Sequence, residues 1–195
     1  NISLILNISP DHLERHRTIS KYVAAKFKLV KNQSKKDLAL LNIKDFYIKR
    51  ELKSKNFLPK IKKVGKDINK TLIKKIDNQY FSTVGNSENL RFVLEVAKVL
   101  KLKKNILIKT LKQFKGLKYR QEIIFQSKKL TIINDSKATT FSSSVSLLKS
   151  LTNVYWIVGG LAKKGDKFLL SKNNCKNFKA YIFGGKKNLF IKALK

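Results

Sequence analysis

Asp135, Ser136, Lys137 and Thr139 follow closely on the apolar run of residues 130–134. An acid can accept from a ribose hydroxyl, and a lysine can meet a phosphate or carboxylate. A helix starting just beyond adds N–H groups directed at anions. The same residues also suit plain structure, with Asp135 and Ser136 making a turn and Ser142 capping the helix that follows. Spacing alone leaves both readings open. Gly159-Gly160-Leu161-Ala162-Lys163-Lys164 is a second possible cradle, since glycine lets a ligand approach the backbone and lysine supplies charge. An ordinary strand-to-helix turn explains the glycines equally well, and the G-x-x-x-x-G-K-[ST] spacing of a P-loop is absent from the chain.

His12 and Lys26 form a third group. His12 falls just past the end of a first apolar run, and Lys26 projects from the helix that follows. Ile19, Tyr22, Val23, Lys26 and Val30 share one stripe of that helix, so the lysine amine is expected to be partly desolvated. Desolvation disfavours the charged form, and a neutral amine can take up carbon dioxide as a carbamate, an oxygen ligand for Mg²⁺. Periodicity alone favours the commoner outcome, in which the stem lies on apolar surface and the ammonium reaches water. His16 has no identifiable partner and is expected at the surface.

These residues need elements to hold them. Residues 2–6 read as a buried strand, with Pro10 near a helix start. Residues 19–30 read as a helix and residues 37–42 as a second strand. Residues 56–84 are lysine-rich and broken, which predicts short strands and turns. Asn86-Ser87-Glu88 opens a helix carrying Leu90, Val93, Leu94, Ala97 and Leu100. Leu107, Leu111 and Phe114 mark another, which Gly116 ends with a left-handed cap. Beyond Gly116 strand and helix alternate: a strand at 130–134, a helix at 142–151, a strand at 154–158, a helix near 167–173 and a strand at 180–183. Such alternation implies an α/β fold with a parallel sheet, whose ligands bind beyond the carboxyl ends of the strands.

The chain has 195 residues, 43% of them hydrophobic, enough for one large domain or two small ones despite a net charge of +32. Its single cysteine, Cys175, excludes an intrachain disulfide and a cysteine-built zinc cage. No stretch approaches the roughly 20 apolar residues of a membrane span. Asn1 opens directly inside an apolar run and the sequence has no Met, so a piece of a longer protein is expected. The pI near 10.3 fits nucleic-acid binding. However, the lysines are spread over nearly every segment without regularly interleaved aromatics, a pattern that compositional bias also produces.

The stretch Leu6-Asn7-Ile8-Ser9-Pro10-Asp11-His12-Leu13-Glu14-Arg15-His16, followed by Tyr22-Val23-Ala24-Ala25-Lys26, closely resembles the central domain of the Mur ligase family. In that family the histidine helps bind a catalytic Mg²⁺ and the lysine is carbamylated, so the resemblance implies those roles for His12 and Lys26. Gly116-Leu117-Lys118-Tyr119-Arg120 is similar to the family's domain-junction motif, implying that Arg120 contacts ATP phosphates. Ile133-Asn134-Asp135-Ser136-Lys137-Ala138-Thr139 resembles the branch that adds D-glutamate. By that resemblance Asp135 faces the nucleotide ribose, Lys137 lies in the active-site cleft and Thr139 helps hold D-glutamate. Gly159-Gly160-Leu161-Ala162-Lys163-Lys164-Gly165-Asp166 is similar to the next family loop, which aligns Lys163 with a lysine that binds a D-glutamate carboxylate. Asn86 matches an asparagine that contacts adenine, and it could also simply cap its helix. Gly85 stands where the family usually has histidine, and Thr140 where asparagine often follows the threonine.

The resemblance implies an α/β chain in two parts. Residues 1–115 would be the C-terminal part of the central ATPase domain, and residues 116–195 the first part of a Rossmann-like, glutamate-binding domain. The implied activity is ATP- and Mg²⁺-dependent joining of D-glutamate to UDP-N-acetylmuramoyl-L-alanine through an acyl phosphate, by a cytoplasmic monomer with no specific nucleic-acid partner. The family's UDP-substrate domain, P-loop and acidic Mg²⁺ ligand would precede Asn1, so these residues are expected to be inactive alone. Rival readings are another Mur or folylpolyglutamate-type ligase, a degenerate remnant, or a basic nucleic-acid-binding module. The last predicts tight binding with a steep salt slope, indifferent to Lys26 or Asp135.

Overall fold

The computed structural model describes residues 1–10, 12–161, 167–170, 175, 177–185 and 187–194. Its contacts fall into two units, one of Asn1–Asn78 with Ser87–Lys112 and the other of Gln79–Asn86 with Gln113–Lys195.

In the first unit, β1 (Ile2–Ile5), β2 (Leu38–Asn42) and β3 (Lys60–Val64) form a parallel sheet in the order β1-β2-β3. Ile2 pairs with Leu38, which pairs in turn with Lys60. Residues of β2 alternate between two apolar layers, as the period of a strand requires. Ala39 and Leu41 pack with Tyr22, Val23, Phe27 and Val30 of α2 (Ile19–Lys31) and with Ile48 of α3 (Phe46–Ser54). Leu40 turns the other way and joins Val64 and Phe92, the latter on α5 (Val84–Val99). Val23, Phe27, Val30, Leu40 and Leu41 are fully buried, each contributing about 1.5–3 kcal/mol relative to exposure. Burial on both faces explains the unbroken apolar run of β2. Lysines dominate β3, which among the described residues pairs only with β2, and charge on such an outer strand discourages pairing with other chains.

The short α1 (Leu13–His16) follows β1, while α4 (Lys70–Ile76) and α6 (Lys104–Gln113) complete the first unit. A 3₁₀ turn at Gln79–Ser82 belongs to the second unit. The broken stretch of residues 56–84 thus contains β3, α4 and that turn. The segment before it carries α3, for which no element was predicted.

In the second unit β4 (Glu122–Gln126) and β5 (Thr131–Asn134) pair antiparallel, with a register shift between Ile123 and Phe125. The expected strand at 130–134 therefore exists, but it closes a hairpin. Ser127 makes this possible by donating its N–H to the Leu130 carbonyl at 2.8 Å. β6 (Val154–Gly159) and β7 (Phe178–Phe183) pair in parallel, as the alternation implied. α7 (Phe141–Ser150) begins with Phe141, whose ring lies 5.5–6.4 Å from those of Phe190, Phe168 and Trp156. α8 (Lys187–Leu194) carries Phe190. Residues 167–170 are not helical, and the remainder of the helix expected near 167–173 lies outside the described residues.

Gly116 has φ +80, the left-handed conformation expected of it, although α6 already ends at Gln113. A Cβ there would sit 2.5 Å from Cε2 of Tyr80, so only glycine fits without displacing that ring.

Candidate nucleotide and metal sites

The segment carrying His12 is pinned where it leaves β1. The Asn42 side chain donates to the Leu6 carbonyl at 2.8 Å, and the Ile8 N–H donates to Asp45 Oδ2 at 2.8 Å. Asp45 also caps α3, its Oδ1 accepting from the Ile48 N–H at 2.9 Å. One carboxylate thus fixes both a helix start and the path towards His12. His12 itself is left-handed, with φ 54, and its carbonyl accepts from the N–H groups of Arg15 and His16. Its imidazole is exposed, with Nδ1 3.4 Å from Glu14 Oε1.

Tyr22 is the common neighbour of both sequence candidates here. Its ring centroid lies 6.5 Å from that of His12 and 5.2 Å from the Lys26 ammonium. The His16 ring packs on it at 5.2 Å, so His16 is half-buried against an aromatic and not a bare surface residue. Lys26 is exposed. The desolvation expected from its stripe is therefore absent: the buried positions of α2 are Tyr22, Val23, Phe27 and Val30. Lys26 falls at their margin, three residues after Val23 where Phe27 is four.

Among the described residues, no three His, Cys, Asp or Glu side chains converge as a metal cage. The pair at Tyr22 does fit a partial donor set for Mg²⁺. A carbamate on Lys26 would supply oxygens and the His12 imidazole a nitrogen, and Mg²⁺ commonly keeps several of its waters.

The second unit gathers three more candidates. Asn86, Arg120 and Asp135 meet around Gln121, a residue no sequence signal singled out. The Gln121 N–H donates to Asp135 Oδ1 at 3.1 Å, and its Oε1 accepts from Asn86 Nδ2 at 3.0 Å and Thr83 Oγ1 at 2.7 Å. Tyr119 and Gln121, on either side of Arg120, are both left-handed, with φ 64 and 51. Non-glycine residues seldom hold that conformation, and pairs of them gather where a particular side-chain direction is required. Burial pushes the Asp135 carboxyl above its usual range, against the Gln121 N–H and the Arg120 charge, which both pull it down. Burial also raises the Tyr80 phenol, with Arg120 opposing the shift and Asp135 adding to it. A half-buried acid, an exposed guanidinium and a buried amide in one place can bind a polyhydroxyl, a phosphate and a heterocycle.

Lys137 is exposed, its N–H donating to the Tyr119 carbonyl at 3.0 Å, so the loop after β5 is tied to the turn before Arg120. Thr139 is exposed. Thr140, not Ser142, caps α7, its Oγ1 accepting from the Ser143 N–H at 3.3 Å. Gly160, with φ +112, begins the next loop over open space. Lys163 lies outside the described residues.

The Mur ligase middle domain model matches residues 1–114. The chain belongs to the Mur ligase family. A UDP-N-acetylmuramoylalanine–D-glutamate ligase of Rickettsia felis is 29% identical over 211 residues, covering 100% of this chain and 47% of that protein. One of Wolbachia from Brugia malayi is 31% identical, covering 100% of this chain and 41% of that protein. The chain thus spans about half the length of the curated relatives it matches. Among solved structures, a MurF ligase from Thermotoga maritima in complex with ADP shares the fold. Its TM-score is 0.68 at 15% identity, over 97% of this chain and 50% of that one.

Within this Mur ligase chain, the parallel sheet of the first unit and the hairpin of the second each deliver one candidate group. Gln121, Thr83 and Tyr80 escaped the sequence reading because their role depends on backbone shape. A left-handed glutamine leaves no mark in a hydrophobic period.

Proposed function

We propose that the chain is the central-to-C-terminal part of an enzyme that joins D-glutamate to UDP-N-acetylmuramoyl-L-alanine, driven by ATP. The observation that carries this reading is the match of the entire chain to several relatives bearing that activity's name. Residues 1–115 serve the central ATPase domain and residues 116–195 begin the glutamate-binding domain, a division supported by the middle-domain match ending at residue 114. The enzyme works as a cytoplasmic monomer. Among the described residues no helix is long and apolar enough to cross a membrane.

The chemistry must bring a carboxylate up to the anionic γ-phosphate. A carboxylate oxygen attacks the phosphorus and ADP leaves, giving an acyl phosphate. The amine of D-glutamate then attacks the carbonyl, loses a proton, and phosphate departs with the carboxylate oxygen. Arg120 offsets charge on the phosphates, as preorganised cations do in such transition states. Asp135 accepts from a ribose hydroxyl, and Asn86 contacts the base. Lys137 lies in the cleft where the carboxylate reacts, while Thr139 and Lys163 orient D-glutamate, a proximity effect. His12 and the Lys26 carbamate would hold Mg²⁺, which when bound neutralises phosphate charge.

Incubating the full-length protein with ATP, UDP-N-acetylmuramoyl-L-alanine and one amino acid at a time tests the substrate. Mass spectrometry should find the amide product with D-glutamate. A product with L-lysine, diaminopimelate or L-glutamate in its place would reassign the chain to a sister ligase.

A further inference from the structure

Leu117-Lys118-Tyr119-Arg120 is a tight turn, closed by the Arg120 N–H donating to the Leu117 carbonyl at 3.1 Å. Its third residue, Tyr119, is left-handed with φ 64, and Gln121 two places on has φ 51. Glycine or asparagine ordinarily fills such a third position, because most side chains strain it. A tyrosine there needs its peptide planes held from outside, and all three planes around Tyr119 and Arg120 are held. The Tyr119 N–H donates to Glu122 Oε2 at 2.9 Å. The Tyr119 carbonyl accepts from the Lys137 N–H at 3.0 Å. The Gln121 N–H donates to Asp135 Oδ1 at 3.1 Å. None of these bonds uses the Arg120 guanidinium, which is exposed. A turn that merely reversed the chain would be met without strain by glycine. Strain of this kind gathers where one side chain must point one way.

We propose that Glu122 is a positioning residue, whose carboxylate holds the Tyr119 N–H and so aims Arg120 at the anionic phosphates of the nucleotide. This rests on reading Arg120 as the phosphate contact. The φ and ψ of Tyr119 set the angle between the peptide plane before it and the plane leading into Arg120. Lys137 and the Leu117 carbonyl hold the second plane, and Glu122 holds the first. Without Glu122, Tyr119 relaxes towards a negative φ, which turns the backbone of Arg120 and swings its guanidinium aside. Glu122 is itself anchored, as the first residue of β4, where it pairs with Asn134 directly before Asp135. The hairpin that delivers Asp135 and Lys137 thus also fixes the acceptor that directs the arginine.

The test is steady-state kinetics of the full-length protein, comparing the wild type with Glu122→Met, Glu122→Gln, Arg120→Ala and the Glu122→Met, Arg120→Ala double variant. Methionine keeps the length of the side chain but is a poor acceptor, whereas glutamine keeps an oxygen for the Tyr119 N–H. Glu122→Met should lower kcat/KM for ATP about tenfold, the scale of one hydrogen bond to a charged group, and leave the KM for D-glutamate unchanged. Glu122→Gln should recover most of that loss. With Arg120→Ala already present, Glu122→Met should lower kcat/KM no further, because its effect passes through the arginine. Losses that multiply in the double variant, or wild-type kinetics in Glu122→Met, would overturn the positioning role and leave the phosphate contact standing. A glutamine variant as impaired as the methionine one would overturn it too. A kcat/KM for ATP unaffected by Arg120→Ala would overturn the phosphate contact, and the positioning role with it. Should the methionine variant fail to fold, Glu122→Asp takes its place, since its carboxylate is drawn back by one methylene. A fall in kcat/KM for ATP then supports the proposal, and a wild-type value refutes it.

Discussion

The role proposed for Asp135 sets function against stability in one side chain. Burial raises its pKa, so the folded protein holds this proton to a higher pH than the unfolded chain does. The stabilisation from that proton is fully present below the ordinary value of 3.8 and disappears as pH rises through the raised folded value. Wherever the carboxylate is ionised, its burial makes that charge a cost to the fold. Asp135→Asn keeps an acceptor for the Gln121 N–H and removes the charge. Melting curves from pH 4 to 8 should show the variant gaining on the wild type as pH rises, while calorimetry shows weaker ADP binding. A wild type that gains on the variant with rising pH would contradict this account. Lys26 makes a different demand, since it is exposed and the role proposed for it is chemical. Lys26→Ala should leave the melting temperature nearly unchanged and lower kcat at least about 100-fold, the scale of losing an electrostatic stabiliser. Full turnover by the variant would remove the carbamate role.

At the scale of elements, Asp45 joins structure to site. Its two oxygens hold two N–H groups, that of Ile48 at the start of α3 and that of Ile8 on the way to His12. An asparagine in its place would still cap the helix, because asparagine is as good an N-cap as aspartate, but it has one acceptor oxygen where two are needed. Asp45→Asn should thus cost about 1 kcal/mol in urea unfolding, for the lost Ile8 bond, and should weaken turnover beyond that stability loss. Turnover equal to wild type would show that the tether does not position His12. The elements legible in the sequence were those with a clear period or a clear alternation of strand and helix: β1, α2, β2, α5, α6, β5, α7, β6 and β7. The hidden ones had physical reasons. β3 is lysine-rich, as suits a strand that among the described residues pairs only with β2, and β4 was hidden because its hairpin with β5 turns at Ser127 without the Asn-Gly signature. The α2 stripe was read one position too broadly, which placed Lys26 inside when Phe27 takes that space.

For the whole molecule, the candidate site was legible mainly through motifs and hardly through physics. Asn86, Arg120 and Asp135 lie far apart in sequence and share no periodicity, yet the second unit assembles them around a strained glutamine. His12 and Lys26 were legible for a simpler reason, since a strand end and the next helix are neighbours in any parallel sheet. The net charge of +32 says nothing of either group and reflects lysines spread over nearly every element. The account stands on a carboxylate being activated by phosphorylation. Its most direct measurement uses UDP-N-acetylmuramoyl-L-alanine with ¹⁸O in the carboxylate, turned over by the full-length protein with ATP and D-glutamate. Phosphate released in step with the amide should carry one ¹⁸O from the substrate. Phosphate free of label, or released without need of D-glutamate, would contradict it.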